Sequence, residues 1–153
     1  MIKLVLLNGS HAADLAMLAA DDWDVPGFIT RAQRLRARGE RETFAVFDAK
    51  RLVGLAMLSR TPSTPGHGEL GYWIGPRERG RGYATAAVEQ LLIRAFGRMA
   101  LALVFARCSE ANHASARVLV KLGFRRVGAS RDGTPAAGAL DRYELTRHEW
   151  RVT

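Results

Sequence analysis

Cysteine is almost absent from these 153 residues. Cys108 stands alone, so no internal disulfide forms and no cysteine-based zinc site assembles, which fits a reducing compartment. No His, Cys and Asp cluster has ligand spacing, so no metal is implied. The N-terminal apolar run at residues 4 to 7 is too short for a signal peptide or a membrane span, and the expected location is the cytoplasm, with no membrane partner. Internal repeats are missing, and the one biased stretch is a Gly/Pro/Ala-rich loop around Ala136, Ala137 and Gly138. Acidic residues are scarce: 15 Asp and Glu face 23 Lys and Arg, a formal net charge of +8.

What is present is ordinary globular material. A 48% hydrophobic fraction with 25% charged residues excludes disorder, and the length suits one domain spanning residues 1 to 153 that buries about two-thirds of its unfolded surface. The basic excess is mostly arginine. Arg31, Arg34, Arg36, Arg38 and Arg41 fall within eleven residues. Such a run reads first as a solvated helix face and second as a nucleic-acid patch. The second reading ranks lower because no aromatic residues are interleaved for base stacking, and an anionic cofactor accounts for part of a basic surface.

The chain alternates strand and helix signals. Residues 2 to 7 read as a strand ending at Asn8-Gly9, Ser10 is placed to cap a helix through about residue 20, and residues 28 to 38 form a second helix stopped by Gly39. β-rich runs at 43 to 47 and 52 to 58 flank a turn at 48 to 51, and a Pro/Gly loop at 61 to 68 precedes a strand at 69 to 74. A helix runs from 81 to about 98, with Ala84, Val88, Leu91, Leu92 and Ala95 on one face. A strand at 101 to 106, a short helix at 115 to 122 and closing strands at 124 to 127 and 140 to 145 complete a mixed α+β order.

The chain turns on the stretch between Tyr72 and Gln90. Pro76 stops a strand, arginines and small residues make the turn, and a helix begins near Arg81. Gly80, Gly82 and Ala84 let a ligand approach the main chain, the first helical N–H groups lack internal partners, and the macrodipole favours an anion. Arg77, Arg79 and Arg81 add charge. A pyrophosphate cradle follows. Two common cradles fail: Gly82-Tyr83-Ala84 lacks the Gly-Lys-Ser/Thr of a Walker loop, and Thr85 and Ala102 stand where a dinucleotide fingerprint needs a small residue and an acid.

What remains, Arg/Gln-x-x-Gly-x-Gly/Ala at Arg79, Gly82 and Ala84, resembles the acetyl-CoA loop of the GNAT N-acetyltransferases. Asn112-His113-Ala114-Ser115, followed by a helix ending in Lys121-Leu122-Gly123-Phe124, resembles the RimJ/RimL branch, whose studied members acetylate protein N-termini. Glu69 to Ile74 is similar to that family's fourth strand. Asp141 to Thr146, with Trp150 beyond, is similar to its last strand and exit. The resemblance covers about residues 42 to 150. It implies a GNAT fold: a central, mostly antiparallel twisted sheet flanked by helices, whose parallel fourth and fifth strands splay apart to admit the cofactor's pantetheine arm.

The resemblance implies direct acetyl transfer from acetyl-CoA to a primary amine, either a protein N-terminus or a small molecule. Donor-binding candidates are Trp73, Ile74, Arg79, Gly80, Arg81, Gly82, Tyr83, Ala84, Thr85, Asn112 and Ser115, with a main-chain N–H near Trp73 or Ile74 holding the oxyanion. Glu69 is the favoured base, level with a plain strand-edge salt bridge; Glu110, His67 and His113 rank below it. Ser115 is placed to protonate the leaving thiolate, with a helix-start role close behind, and Asn112 reads equally as a helix N-cap. Tyr143 reads as core before acid, and Cys108 as buried. Trp23, Val25 and Phe28 either shape an acceptor wall or belong to ordinary core. A homodimer stays open. Two rival readings remain, a non-catalytic acyl-CoA sensor and a basic nucleic-acid module.

Overall fold

A computed structural model describes residues 1–130 and 139–150. The hairpin loop around Ala136 to Gly138 lies outside the described residues. Within them the chain builds one seven-stranded sheet from β1 (Ile2–Leu6), β2 (Arg41–Asp48), β3 (Arg51–Arg60), β4 (His67–Ile74), β5 (Leu103–Ser109), β6 (Arg125–Ala129) and β7 (Leu140–Thr146). The spatial order is β1-β2-β3-β4-β5-β7-β6. Every neighbouring pair is antiparallel except β4 and β5, which run parallel. The helices are α1 (Ala12–Leu18), α2 (Val25–Ala37), α3 (Tyr83–Phe96) and α4 (His113–Lys121).

Strand alternation divides the sheet into two faces. Leu70 and Val104 point to one face, where Val88, Leu91, Leu92 and Ala95 of α3 bury the larger core. Ala45, Leu52 and Leu55 point to the other, where Leu15 of α1 and Val25 and Ile29 of α2 bury the smaller one. Each fully buried leucine contributes about 1.5–3 kcal/mol of transfer free energy, so both helical layers are held mainly by these stripes.

The mixed α+β order expected from the sequence is the order found, with four local differences. Asn8 rather than Ser10 caps the first helical turn: its side chain accepts from the Ser10 amide at 2.9 Å while His11 Nδ1 accepts from the Asn8 amide at 3.2 Å. The helix expected from residue 28 starts at Val25, because Asp24 accepts from the Gly27 amide at 3.0 Å and Pro26 lies in the first turn, where its missing N–H costs nothing. The third helix starts at Tyr83 rather than at residue 81, because Gly82 at φ 81° sets its start. Finally, β5 starts at Leu103, since Leu101 and Ala102 donate to the Ala95 and Gly66 carbonyls at 2.9 and 2.7 Å in the turn leaving α3.

The parallel pair is short. β4 and β5 are in register only at His67 with Leu103, Gly68 with Val104 and Glu69 with Phe105. Beyond that point β4 continues to Ile74 on the edge of β3, and β5 continues to Ser109 on the edge of β7. The two strands part after Glu69.

Candidate active site

The gap between the parted strands is lined by main chain that has no strand partner across it. Thr61 donates to the His67 carbonyl at 3.0 Å and Gly75 to the Val53 carbonyl at 2.9 Å, so the odd-numbered residues of β4 make the bonds to β3. The N–H and C=O groups of Leu70, Tyr72 and Ile74 therefore face the gap. Those of Trp73 face β3, so of the two expected main-chain donors, Trp73 and Ile74, the gap is offered Ile74. Arg147 donates to the Ala102 carbonyl at 2.9 Å, and the same alternation along β5 turns Arg107 and Ser109 toward the gap.

The gap opens into a cleft of about 570 Å³ lined by β4, the arginine-glycine loop, the first turn of α3 and α4. Gly80 and Gly82 take φ of 79° and 81°, the left-handed region that favours glycine. Gly82 is the N-cap of α3 and brings no side chain. The first helical bond runs from the Ala86 amide to the Gly82 carbonyl at 3.1 Å, so the amides of Tyr83, Ala84 and Thr85 precede it and point out of the helix. All three residues line the cleft.

The loop's side chains divide their tasks. Arg79 donates from Nε to the Ile74 carbonyl at 2.9 Å, tying the loop to the end of β4. Arg81 turns to Glu78 at 3.6 Å and does not line the cleft. Glu78 is buried, also accepts from Arg51 at 3.2 Å, and its Oε2 has no hydrogen-bond donor among the described residues. The Tyr83 hydroxyl donates to Asp48 at 2.6 Å, so its side chain anchors α3 to the β2–β3 turn while its amide stays in the cleft. Positive charge comes instead from α4, whose Arg117 and Lys121 line the opposite wall. Neither was given a cradle role from sequence, where Lys121 figured only in the Lys121-Leu122-Gly123-Phe124 motif, although both are cations one helical turn apart on the helix that Asn112 begins.

Asn112 and Ser115 also line the cleft. The Asn112 side chain accepts from the Ser115 amide at 3.1 Å, so its capping role is present in the structure. The Ser115 hydroxyl lies 2.5 Å from the hydroxyl of Tyr72, which sequence reasoning passed over. Tyr72 stands on the even-numbered face of β4, toward α3 and α4. Burial raises its pKa above the usual 10.0, so the phenol is protonated at neutral pH. Cys108 lies buried beside this pair; burial and the nearby Asp141 carboxylate raise its thiol, against a hydrogen bond with Ser115. Tyr143 is core.

Glu69 sits where the strands part, on the opposite face of the sheet. Arg107 binds it through two bonds, Nε to Oε2 at 2.6 Å and Nη2 to Oε1 at 3.1 Å. On the same face Trp73 meets Trp23 edge-on at 5.9 Å, and Trp23 meets Phe28 at 4.8 Å. Val25 is buried core. Glu110 is exposed in the turn after β5, His113 is exposed at the start of α4, and His67 begins β4. The sheet thus separates two half-sites, an anion cradle with a hydroxyl pair on one side and a carboxylate beside an aromatic wall on the other. The gap joins them.

The model of the acetyltransferase (GNAT) domain matches residues 8–125. This chain belongs to that family. Among curated GNAT relatives, YdaF of Bacillus subtilis, named provisionally as a ribosomal N-acetyltransferase, is 32% identical over 102 residues, 65% of this chain and 56% of YdaF. The FsC-acetyl coenzyme A-N(2)-transacetylase of Aspergillus fumigatus is 28% identical over 120 residues, 71% of this chain and 51% of that protein. The chain spans a little over half the length of these relatives. RimJ of Mycobacterium smegmatis, solved with a CoA-disulfide, superposes with a TM-score of 0.86 at 19% identity, covering 99% of this chain and 85% of RimJ. That likeness bears out the GNAT fold.

Proposed function

We propose that this protein transfers the acetyl group of acetyl-CoA directly to a primary amine, and that a protein α-amine is its acceptor. The observation that carries the reading is the parting of β4 and β5 after Glu69, with the cradle on one side and the Glu69 carboxylate on the other. An extended, amide-bearing pantetheine arm satisfies main-chain groups of Leu70, Tyr72 and Ile74 that otherwise have no strand partner. The amides of Tyr83, Ala84 and Thr85, with Arg117 and Lys121 across the cleft, suit its phosphates. YdaF and the Aspergillus fumigatus transacetylase carry names of the same chemistry, and RimJ was solved with a CoA-disulfide, which supports acetyl-CoA as the donor.

The acceptor nitrogen attacks the thioester carbon, the carbon–sulfur bond breaks, and the sulfur leaves with the bonding pair. Ser115, backed by Tyr72, supplies a proton to that sulfur. Glu69 receives the proton lost by the amine, with Arg107 as its positioning partner. Both Glu69 oxygens accept from Arg107, so this base suits an acceptor that needs little help. At pH 7 roughly one α-amine in ten is neutral, against fewer than one lysine in a thousand. This difference, with the name carried by YdaF, favours the α-amine.

Acceptor choice is tested by incubating the protein with acetyl-CoA and three amine classes: peptides with free N-termini, the same peptides N-blocked but containing lysine, and spermidine. Mass spectrometry is expected to find acetyl groups on free N-termini only. Modification confined to lysine or spermidine overturns the acceptor assignment. No transfer to any amine, with acetyl-CoA binding intact, makes the protein a sensor.

A further inference from the structure

The structure reopens the arginine-rich stretch, because it shows which cations the fold already uses. Arg51, Arg81, Arg94, Arg107, Arg125, Arg126 and Arg142 are each ion-paired to a carboxylate. Arg31, Arg34, Arg36, Arg38, Arg60 and Arg98 are all exposed and, among the described residues, have no ion-pair or side-chain hydrogen-bond partner. Three of them gather at one corner, and the other three lie along α2 and its C-cap. Arg36, Arg60 and Arg98 line a cleft of about 420 Å³ where α2 and α3 end beside β2 and β3. Arg41 and Arg94 line it too, but their guanidinium groups are tied to Ser59 and Glu42. Arg31, Arg34 and the C-cap Arg38 form a second stripe on the outer side of α2, roughly 10 Å long and turned away from Arg36.

Helix ends explain only part of this. The macrodipole favours cations in the last turn of α2, which covers Arg34 and Arg36, but it does not reach Arg31 on the turn before or Arg60 on a strand. Of the acids beside the cleft, Glu42 is bound by Arg94 and feels Arg98 and Arg36 only through space, and Glu40 is the other, against three arginines without an ion pair among the described residues. Nor does the patch look like a protein interface. None of the exposed large apolar side chains lines the cleft; Ile93 is on α3, and Met17, Val120 and Val127 are on neither α2 nor β2 nor β3. Exposed cations spaced over more than one phosphate, with no aromatic side chain lining the cleft, fit a repeating phosphodiester chain read through its backbone alone.

We propose that α2 and the cleft at its C-terminal end form a nucleic-acid backbone site separate from the acetyl-CoA cradle. The cradle is at the start of α3 and the cleft at its end, about 20 Å apart along the 14-residue helix. The cleft is also separate from the Glu69 carboxylate: Arg60 pairs in register with Gly68, one residue out of phase with Glu69, so strand alternation puts the two side chains on opposite faces.

The test is fluorescence anisotropy with labelled RNA and DNA 20-mers of two unrelated sequences, between 50 and 200 mM salt. Wild type is compared with R31Q/R34Q/R38Q and with R36Q/R60Q/R98Q, each checked for folding and for stabilisation by acetyl-CoA. Six phosphate contacts predict a fall in affinity of about 10³-fold over that salt range on duplex, and either triple variant should lower the logarithmic salt slope by about 2.7. Affinity should ignore sequence and persist with saturating acetyl-CoA. No binding at 50 mM salt overturns the proposal. So does an unchanged slope in both variants, or loss of binding with acetyl-CoA, which places the nucleic acid in the cradle. Equal competition by poly-glutamate overturns it in favour of an acidic protein.

Discussion

At the scale of single residues, the proposed chemistry rests on a few side chains brought together from far apart. Tyr72 and Ser115 lie 43 positions apart and share a hydroxyl contact of 2.5 Å. Because burial keeps the Tyr72 phenol protonated beyond its usual range, the pair can donate at any ordinary assay pH. Ser115→Ala and Tyr72→Phe should each lower kcat roughly tenfold with KM for acetyl-CoA little changed, since a thiolate is already a fair leaving group. Steady-state kinetics check this, and an unchanged kcat in both variants removes the proton role. Glu69→Gln should lower kcat/KM about a hundredfold at pH 7, and the deficit should shrink as the pH passes 8 and the α-amine deprotonates unaided. A deficit constant from pH 6 to 9 would leave Glu69 a structural role only.

Glu149 supplies a pH-dependent stability term near the chain's exit. Bonds from Arg125, then from Thr146, hold its carboxyl down from 4.5 to about 2. A depressed carboxylate stabilises the fold above its unfolded pKa and loses that contribution as pH falls through the folded one. Wild type should therefore unfold at higher urea than Glu149→Gln at pH 7, with the difference closing between about pH 4.5 and 2.

At the scale of elements, the parting of β4 and β5 depends on how β4 is held to β3. Val53 is the extra residue of a bulge, after which Gly54 crosses β4 at Ile74. A Cβ on Gly54 would lie 2.2 Å from the Trp73 carbonyl oxygen, a backbone atom that cannot step aside cheaply. Gly54→Ala should cost about 1–3 kcal/mol in urea unfolding and weaken acetyl-CoA binding, because β4 must shift beneath the cleft. The element order and the anion cradle were legible in the sequence, since hydrophobic period, caps and glycine placement are local properties. The width of the gap was not, because it is a relation between strands more than thirty residues apart. For the same reason Glu69 could be named from its motif, while its partner Arg107, 38 positions later, could not. Arg81 carries the opposite lesson: the motif placed it in the cradle, and a buried Glu78 three residues earlier draws it away.

At the scale of the whole molecule, charge is sorted by location. In the cradle Arg79 and Arg81 are spent on the loop's own structure, and Arg117 and Lys121 supply the charge. A second group of cations stands at the far end of α3 and on α2. Among the described residues no helix is long and apolar enough to cross a membrane. The central claim, that the gap and its cradle hold acetyl-CoA, is tested most directly by thermal unfolding with increasing acetyl-CoA, with ATP and NAD as controls, on wild type and Gly82→Glu. A ligand at a hundred times its dissociation constant should stabilise wild type by about 2.7 kcal/mol. The account predicts that stabilisation for acetyl-CoA alone and its loss in a folded Gly82→Glu variant. No response of well-folded wild type to acetyl-CoA, or an equal response in the variant, would contradict it.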